Sequence, residues 1–197
     1  MKRISLLNVA HDRIRDILHL GDIAIDATAG NGHDTLFLAE QVGSSEKVYG
    51  FDIQQAAIDS TREKFRQANA PECLTLIQAS HAGMAEKIPE QYHGKINAIM
   101  FNLGYLPGGD KSVITQTDST LTALTVASRI LSPNGIITLL AYPGHQGGDL
   151  ETDQVRNWCE QLDTEQFEVS TIYSTEHKDS APRLFVIRKI RIKIDEI

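Results

Sequence analysis

Short apolar runs alternating with helical segments constrain this chain more than any other feature. Ile23-Ala24-Ile25 ends at Asp26, Lys47-Val48-Tyr49-Gly50-Phe51 ends at Asp52, and a third run is Leu74-Thr75-Leu76-Ile77. A fourth, residues 96–101, ends at Asn102, and residues 136–141, 167–173 and 183–190 follow. Helices are expected at 5–19, where Leu6, Leu7, Ala10, Ile14, Ile17 and Leu18 share one face, and at 34–41, 54–67, 82–88, 116–131 and 151–162. The last of these buries Val155, Trp158 and Leu162. Ser132-Pro133-Asn134-Gly135 reads as a turn. Strands alternating with helices predict a parallel sheet covered on both faces, and near-continuous apolar runs suit that burial. Residues 174–181 are polar and leave no room for a helix, so the last two strands should form an antiparallel hairpin at one edge. The expected fold is α/β, a Rossmann-like seven-stranded sheet with helices on both faces.

At 197 residues the chain suits one domain, 1–197, with the helix of residues 1–20 packed on it. Cys73 and Cys159 are far apart, which suggests neither a disulfide framework nor a zinc site. No apolar run approaches the roughly 20 residues of a membrane span. Met1-Lys2-Arg3-Ile4 does not open a signal peptide, so a cytoplasmic protein is expected. The net charge of −7 counts mildly against a nucleic-acid partner. Basic residues do gather at the two ends, in Lys2-Arg3 and in Arg183, Arg188, Lys189, Arg191 and Lys193. They form a patch if those ends meet, or merely aid solubility.

The most informative segment is Asp26-Ala27-Thr28-Ala29-Gly30-Asn31-Gly32-His33-Asp34-Thr35, at the carboxyl end of the first strand. Open parallel sheets bind ligands there. Gly30 and Gly32 allow a tight turn and a close backbone approach, and the helix that follows offers free N–H groups. Asp52, roughly 20 residues on, is placed to accept ribose hydroxyls, though a helix cap would also suit it. The third glycine of the dinucleotide pattern is missing, and Thr35 stands in its place. That disfavours a nicotinamide oxidoreductase and favours S-adenosylmethionine, which has ribose and adenine but no phosphate. The cofactor set comprises Asp26, Thr28, Gly30, Asn31, Gly32, His33, Asp34, Thr35, Asp52, Gln54, Ser80, His81 and Asn102. Asp26 suits an ammonium group or a water network, His33 and Asp34 the methionine portion, and Ser80 and His81 the adenine. The competing roles are a helix cap for Ser80 and an ordinary first-turn acid for Asp34.

Asn102-Leu103-Gly104-Tyr105-Leu106-Pro107 follows the fourth strand. It is similar to the Asn-Pro-Pro-Tyr motif of amino-directed methyltransferases, with Leu103-Gly104 in place of the prolines. In that motif the Asn side chain and a backbone carbonyl accept protons from the target nitrogen, so the spacing hints at nitrogen methylation. An alkyl amine must lose a proton before it can attack. His145, in Tyr142-Pro143-Gly144-His145, is the candidate base or substrate contact. Tyr105 and Tyr142 could face a sulfonium with their rings. Gly108-Gly109-Asp110 and Gly147-Gly148-Asp149 suggest mobile loops framing the pocket, and His11, His19, His93 and His177 read as structural or exposed.

The loop from Asp26, the segment from Asn102 through Gly108-Gly109-Asp110, and Tyr142-Pro143-Gly144-His145-Gln146-Gly147-Gly148 together resemble a small bacterial family. It was long described as rRNA methylases and is linked to tRNA 5-aminomethyl-2-thiouridine methyltransferase activity at the wobble uridine. The resemblance covers nearly the whole chain, and the second and third segments are its more specific parts. It implies a class I, S-adenosylmethionine-dependent methyltransferase acting on the primary amine of the aminomethyl group. Asn102, Tyr105, Tyr142 and His145 would shape the acceptor pocket, and the tRNA anticodon arm would lie across the sheet edge. The domain itself or a homodimer would hold the RNA. An rRNA or small-molecule amine acceptor, or a non-catalytic protein that only binds S-adenosylmethionine, are the alternatives.

Overall fold

The computed structural model describes residues 5–44, 47–110, 112–144, 147–174 and 181–190. Seven strands form one sheet: β1 Ile23–Asp26, β2 Val48–Asp52, β3 Leu74–Gln78, β4 Ile96–Asn102, β5 Leu131–Ala141, β6 Phe167–Tyr173 and β7 Arg183–Lys189. Their spatial order is β3-β2-β1-β4-β5-β7-β6. The first five run parallel, and β7 lies antiparallel between β5 and β6. The chain winds outward from β1 through β2 to β3, then returns to place β4 on the other side of β1. That reversal opens a crevice at the carboxyl ends of the strands.

The alternation of side chains across the pleat explains the two cores. Ile23, Ile25, Ile99, Phe101, Ile137 and Leu139 point to one face. There they meet α4 (Met84–Lys87), α5 (Thr117–Ile130) and α6 (Gly148–Glu160). Ala24, Ala98, Met100, Ile136 and Leu140 point to the other face, against α1 (Leu6–Arg15) and α2 (His33–Val42). Phe65 of α3 (Gln55–Ala68) packs on that core too. The central strands are buried on both sides, as their composition implied. Among the described residues, no helix is long and apolar enough to cross a membrane.

Three local expectations are corrected. The first helix stops at Arg15 instead of reaching 19, because the amides of Ile17 and Leu18 both turn back to the Ile14 carbonyl. Leu18 still enters the core, so the apolar spacing continues after the helix has ended. Residues 82–88 divide into a 3-10 turn at His81–Gly83 and the short α4. The 132–135 segment is an irregularity within β5: Leu131 pairs with Ile96, and Ile136, five residues on, pairs with Ala98, only two residues further along β4. Asn134 takes a positive φ of 68° there, a conformation asparagine tolerates.

The anticipated basic patch loses two members to structural work. Arg183 is buried with its guanidinium 5.5 Å from the Tyr173 ring. The Lys189 ammonium donates to the carbonyls of Ser128 and Leu131, each at 3.0 Å, where α5 ends. Lys2, Arg3, Arg191 and Lys193 lie outside the described residues.

Candidate active site

A cavity of about 610 Å³ occupies the crevice. Every strand from β1 to β5 contributes at or just after its carboxyl end: Ala27, Asp52, Ala79, Asn102 and Tyr142 all line it. Of the expected site residues, Thr28, Gly30, Asn31, His33, Asp34, Asp52, Gln54, Ser80, His81, Asn102, Tyr105 and Tyr142 line the cavity. Asp26, Gly32 and Thr35 stand behind the wall, and His145 lies outside the described residues.

The three residues behind the wall build it. Asp26 is fully enclosed, accepting from the Thr28 amide at 3.1 Å and from the Thr35 hydroxyl at 2.6 Å. The backbone thus turns sharply after β1 and is pinned to the first turn of α2. Gly32 has φ +75°, and a Cβ there would stand 2.9 Å from Cα, Cγ2 and Oγ1 of Thr61. Its bareness admits a neighbouring helix, a reason that the sequence did not reveal. Gly30, at φ +53°, is different, because a Cβ would meet nothing nearer than 3.7 Å. Asp52 ties the loop from the far side: one oxygen accepts from the Gly30 amide at 3.0 Å and the other from the Gln54 amide at 2.9 Å. Ser80 does cap the 3-10 turn, accepting from the Ala82 amide at 3.2 Å, and lines the cavity as well.

Burial, with the Asp34 charge adding to it, pushes the Asp26 carboxyl up to about 7. The neutral form is therefore the one the fold favours. This contribution to stability is complete below about pH 4, the unfolded value, and is lost as pH rises through about 7. The isosteric Asp26→Asn variant should accordingly gain on the unsubstituted protein by several degrees in Tm between about pH 5 and pH 8.5. A Tm difference independent of pH would show that Asp26 is ionised in the fold throughout.

The charge of the wall selects its ligand. Asp34 and Asp52 line the cavity, and no Lys or Arg does among the described residues. Such a wall attracts cations and repels a pyrophosphate. Beside the cavity-lining His33 and Asp34, α2 begins at Gly32 with no side-chain cap among the described residues, which leaves first-turn amides that a carboxylate can satisfy. His81, buried against Phe101, bonds the Ala27 carbonyl through Nδ1 at 3.1 Å, and among the described residues no group meets Nε2. Since the carbonyl must accept, Nδ1 carries the proton, and burial lowers the ring's affinity for a second one. Nε2 is thus an acceptor. Carboxylates for an ammonium, amides for a carboxylate, a carboxylate at ribose position and a neutral imidazole fit S-adenosylmethionine.

The other end of the cavity is built on Asn102. Its backbone amide is held by the Thr28 hydroxyl at 2.8 Å, which locks the end of β4 to the glycine loop. Asn102 lines the lumen together with Tyr105 and Tyr142. The segment 112–115 folds back on the one that starts at 104: Gly104 and Thr115 bond each other twice, and Tyr105 bridges to Ile114. Asn31 clips this loop to the glycine loop by donating to the Pro107 carbonyl at 3.1 Å. Glu151, buried in α6, anchors its base by accepting from the hydroxyls of Thr115 at 2.8 Å and Thr120 at 2.7 Å. Nothing in the spacing of Glu151 and the two threonines announces that contact. Burial and the Asp34 charge raise the pKa of Tyr142, so its hydroxyl stays protonated at neutral pH.

A sheet of this order with a cavity at its switch point is the class I methyltransferase fold. The chain belongs to the family described as Putative rRNA methylase, whose model matches residues 48–188. It is 44% identical over 161 residues to the chloroplastic tRNA (mnm5s2U34)-methyltransferase of Arabidopsis thaliana, a match covering 78% of this chain and 58% of that protein. The chain spans about half the length of the curated relatives it matches. Among solved structures, a Clostridium thermocellum protein described as a putative rRNA-methylase superposes with a TM-score of 0.89 at 37% identity, covering 96% of this chain and 100% of that one. A Streptococcus mutans protein described as a putative methyltransferase, in complex with SAH, superposes with a TM-score of 0.83 at 36% identity, covering 95% and 99%.

Proposed function

We propose that the chain is an S-adenosylmethionine-dependent methyltransferase acting on the amine of 5-aminomethyl-2-thiouridine at the tRNA wobble position. The observation that carries the reading is one cavity with two unlike ends, acidic at the glycine loop and neutral around Asn102, Tyr105 and Tyr142. The name of the relative at 44% identity supports tRNA as the acceptor. The cofactor bound to the Streptococcus mutans protein, the demethylated product SAH, supports the donor.

S-adenosylmethionine, when bound, supplies a methyl group on a positively charged sulfur. The protein's share is to orient, exclude water and remove a proton. Asp52 and Gln54 would hold the ribose, Asp34 and the open amides of α2 the amino-acid end, and Ser80 and His81 the adenine. The Asn102 side-chain oxygen would accept a hydrogen from the acceptor amine and so aim its lone pair. Tyr105 and Tyr142 would pack against the base. A protonated Tyr142 can position but cannot take the proton, which leaves His145 as the proposed base. Methylation of the amine nitrogen requires it to give up one proton, and His145 would take that proton.

The test is incubation of the protein and labelled S-adenosylmethionine with bulk tRNA from a strain lacking the gene, followed by mass spectrometry of the nucleosides. The expected result is a gain of one methyl on 5-aminomethyl-2-thiouridine. No gain on any tRNA nucleoside, with cofactor binding demonstrated, would remove tRNA as the acceptor and direct the search to rRNA and small amines.

A further inference from the structure

Helix α1 precedes the sheet, yet one of its side chains reaches the cavity wall. His11 Nε2 lies 2.7 Å from Asp34 Oδ1, and the two side chains are only 16% and 9% exposed. A carboxylate can only accept, so Nε2 donates. The imidazole is itself clamped: it stacks on Phe37 of α2 with ring centroids 3.8 Å apart and planes 7° from parallel. The Arg15 guanidinium packs on the same phenyl ring at 5.0 Å. The stack holds the His11 ring, and the ring holds Asp34 Oδ1. Asp34 in turn lines the cavity beside the uncapped start of α2, and no Lys or Arg pairs with it among the described contacts.

We propose that His11 is a positioning residue that aims the Asp34 carboxylate at the ammonium of the cofactor's amino-acid end, making α1 part of the cofactor site. The proposal rests on the cofactor reading above. The His11 hydrogen bond occupies Oδ1 and would leave Oδ2 for the ligand. Holding the carboxylate in place before binding removes an ordering cost that the ligand would otherwise bear. The tie also makes docking of α1 and occupancy of the cavity favour one another, because each immobilises the same side chain.

Two substitutions separate positioning from packing. His11→Phe keeps the stack on Phe37 and loses the donor. His11→Gln loses the stack and keeps a donor, since its amide nitrogen can occupy the place of Nε2. The probe is S-adenosylhomocysteine, measured by calorimetry on the full chain. It retains the ammonium and has no charge on sulfur, so a change in affinity reports the amino-acid end. The expected result is an opposite ordering. His11→Phe binds about tenfold more weakly with little change in Tm, whereas His11→Gln binds within about twofold of the unsubstituted chain with a lower Tm. Affinity that follows Tm in both variants, or an unchanged affinity in His11→Phe, overturns the proposal and makes His11 a packing residue. If the unsubstituted chain binds neither S-adenosylhomocysteine nor S-adenosylmethionine, the cofactor reading itself falls and takes the proposal with it.

Discussion

Replacement of Gly32 by alanine is expected to cost the fold about 2–5 kcal/mol, while the same change at Gly30, two residues earlier, costs only about 1–2. Both glycines have positive φ, so both variants carry the strain of an L-residue in the left-handed region. Only at Gly32 does the new methyl collide, 2.9 Å from the Thr61 backbone as well as its side chain. A backbone atom in the middle of α3 cannot swing aside as a side-chain tip can, so the glycine loop and α3 must separate. In a chain of this size the Gly32→Ala loss corresponds to roughly 5–15 °C in Tm. Thermal denaturation of the two variants checks it. Equal losses would mean that Gly32 is needed for its dihedral angle alone and that α3 yields freely.

Asn102→Ala should lower kcat by about a hundredfold and leave S-adenosylhomocysteine affinity within a few-fold. The backbone of Asn102 does not depend on its amide group, because β4 pairs on both sides and the Thr28 hydroxyl holds the Asn102 N–H. Truncation therefore deletes an acceptor from the cavity without moving the strand end. A misdirected nucleophile commonly costs about that much. Single-turnover kinetics with saturating cofactor would measure the chemical step directly. A normal rate would exclude Asn102 from the reaction, and an equal fall in cofactor affinity would make it a cofactor ligand instead.

Much of this architecture was legible because its signals are local. Strands β1, β2 and β4 are short apolar runs closed by a polar residue, and the pleat turns such runs into two cores. The order of the loop from Asp26 to Thr35 and the carboxylate at Asp52 marked them as parts of one site, and the fold does bring Gly30 and Asp52 together at the cavity. What escaped is non-local or inverted. His11 lies 23 residues from Asp34 and shares no spacing rule with it. Glu151 meets Thr115 and Thr120 only because α6 packs beside α5. Gly32 was rightly expected to be bare, but the atom that demands it belongs to α3, whose approach depends on the whole sheet. The β5 irregularity was misread because Pro-Asn-Gly looks like a turn whether or not the strand continues past it.

The position of β7 has a consequence for how the chain folds. Until residues 183–189 arrive, β5 presents an open ladder of amides and carbonyls along an apolar strand that ends up buried on both faces. Such an edge invites pairing with any other extended chain. Its native partner is more than 40 residues distant in sequence, so closing that pair carries a loop-entropy penalty that the β6–β7 hairpin does not. A hairpin that docks as a unit brings its later strand inward against β5. The interval before docking is when the chain is most exposed to self-association, and the edge of β5 is where aggregation would begin.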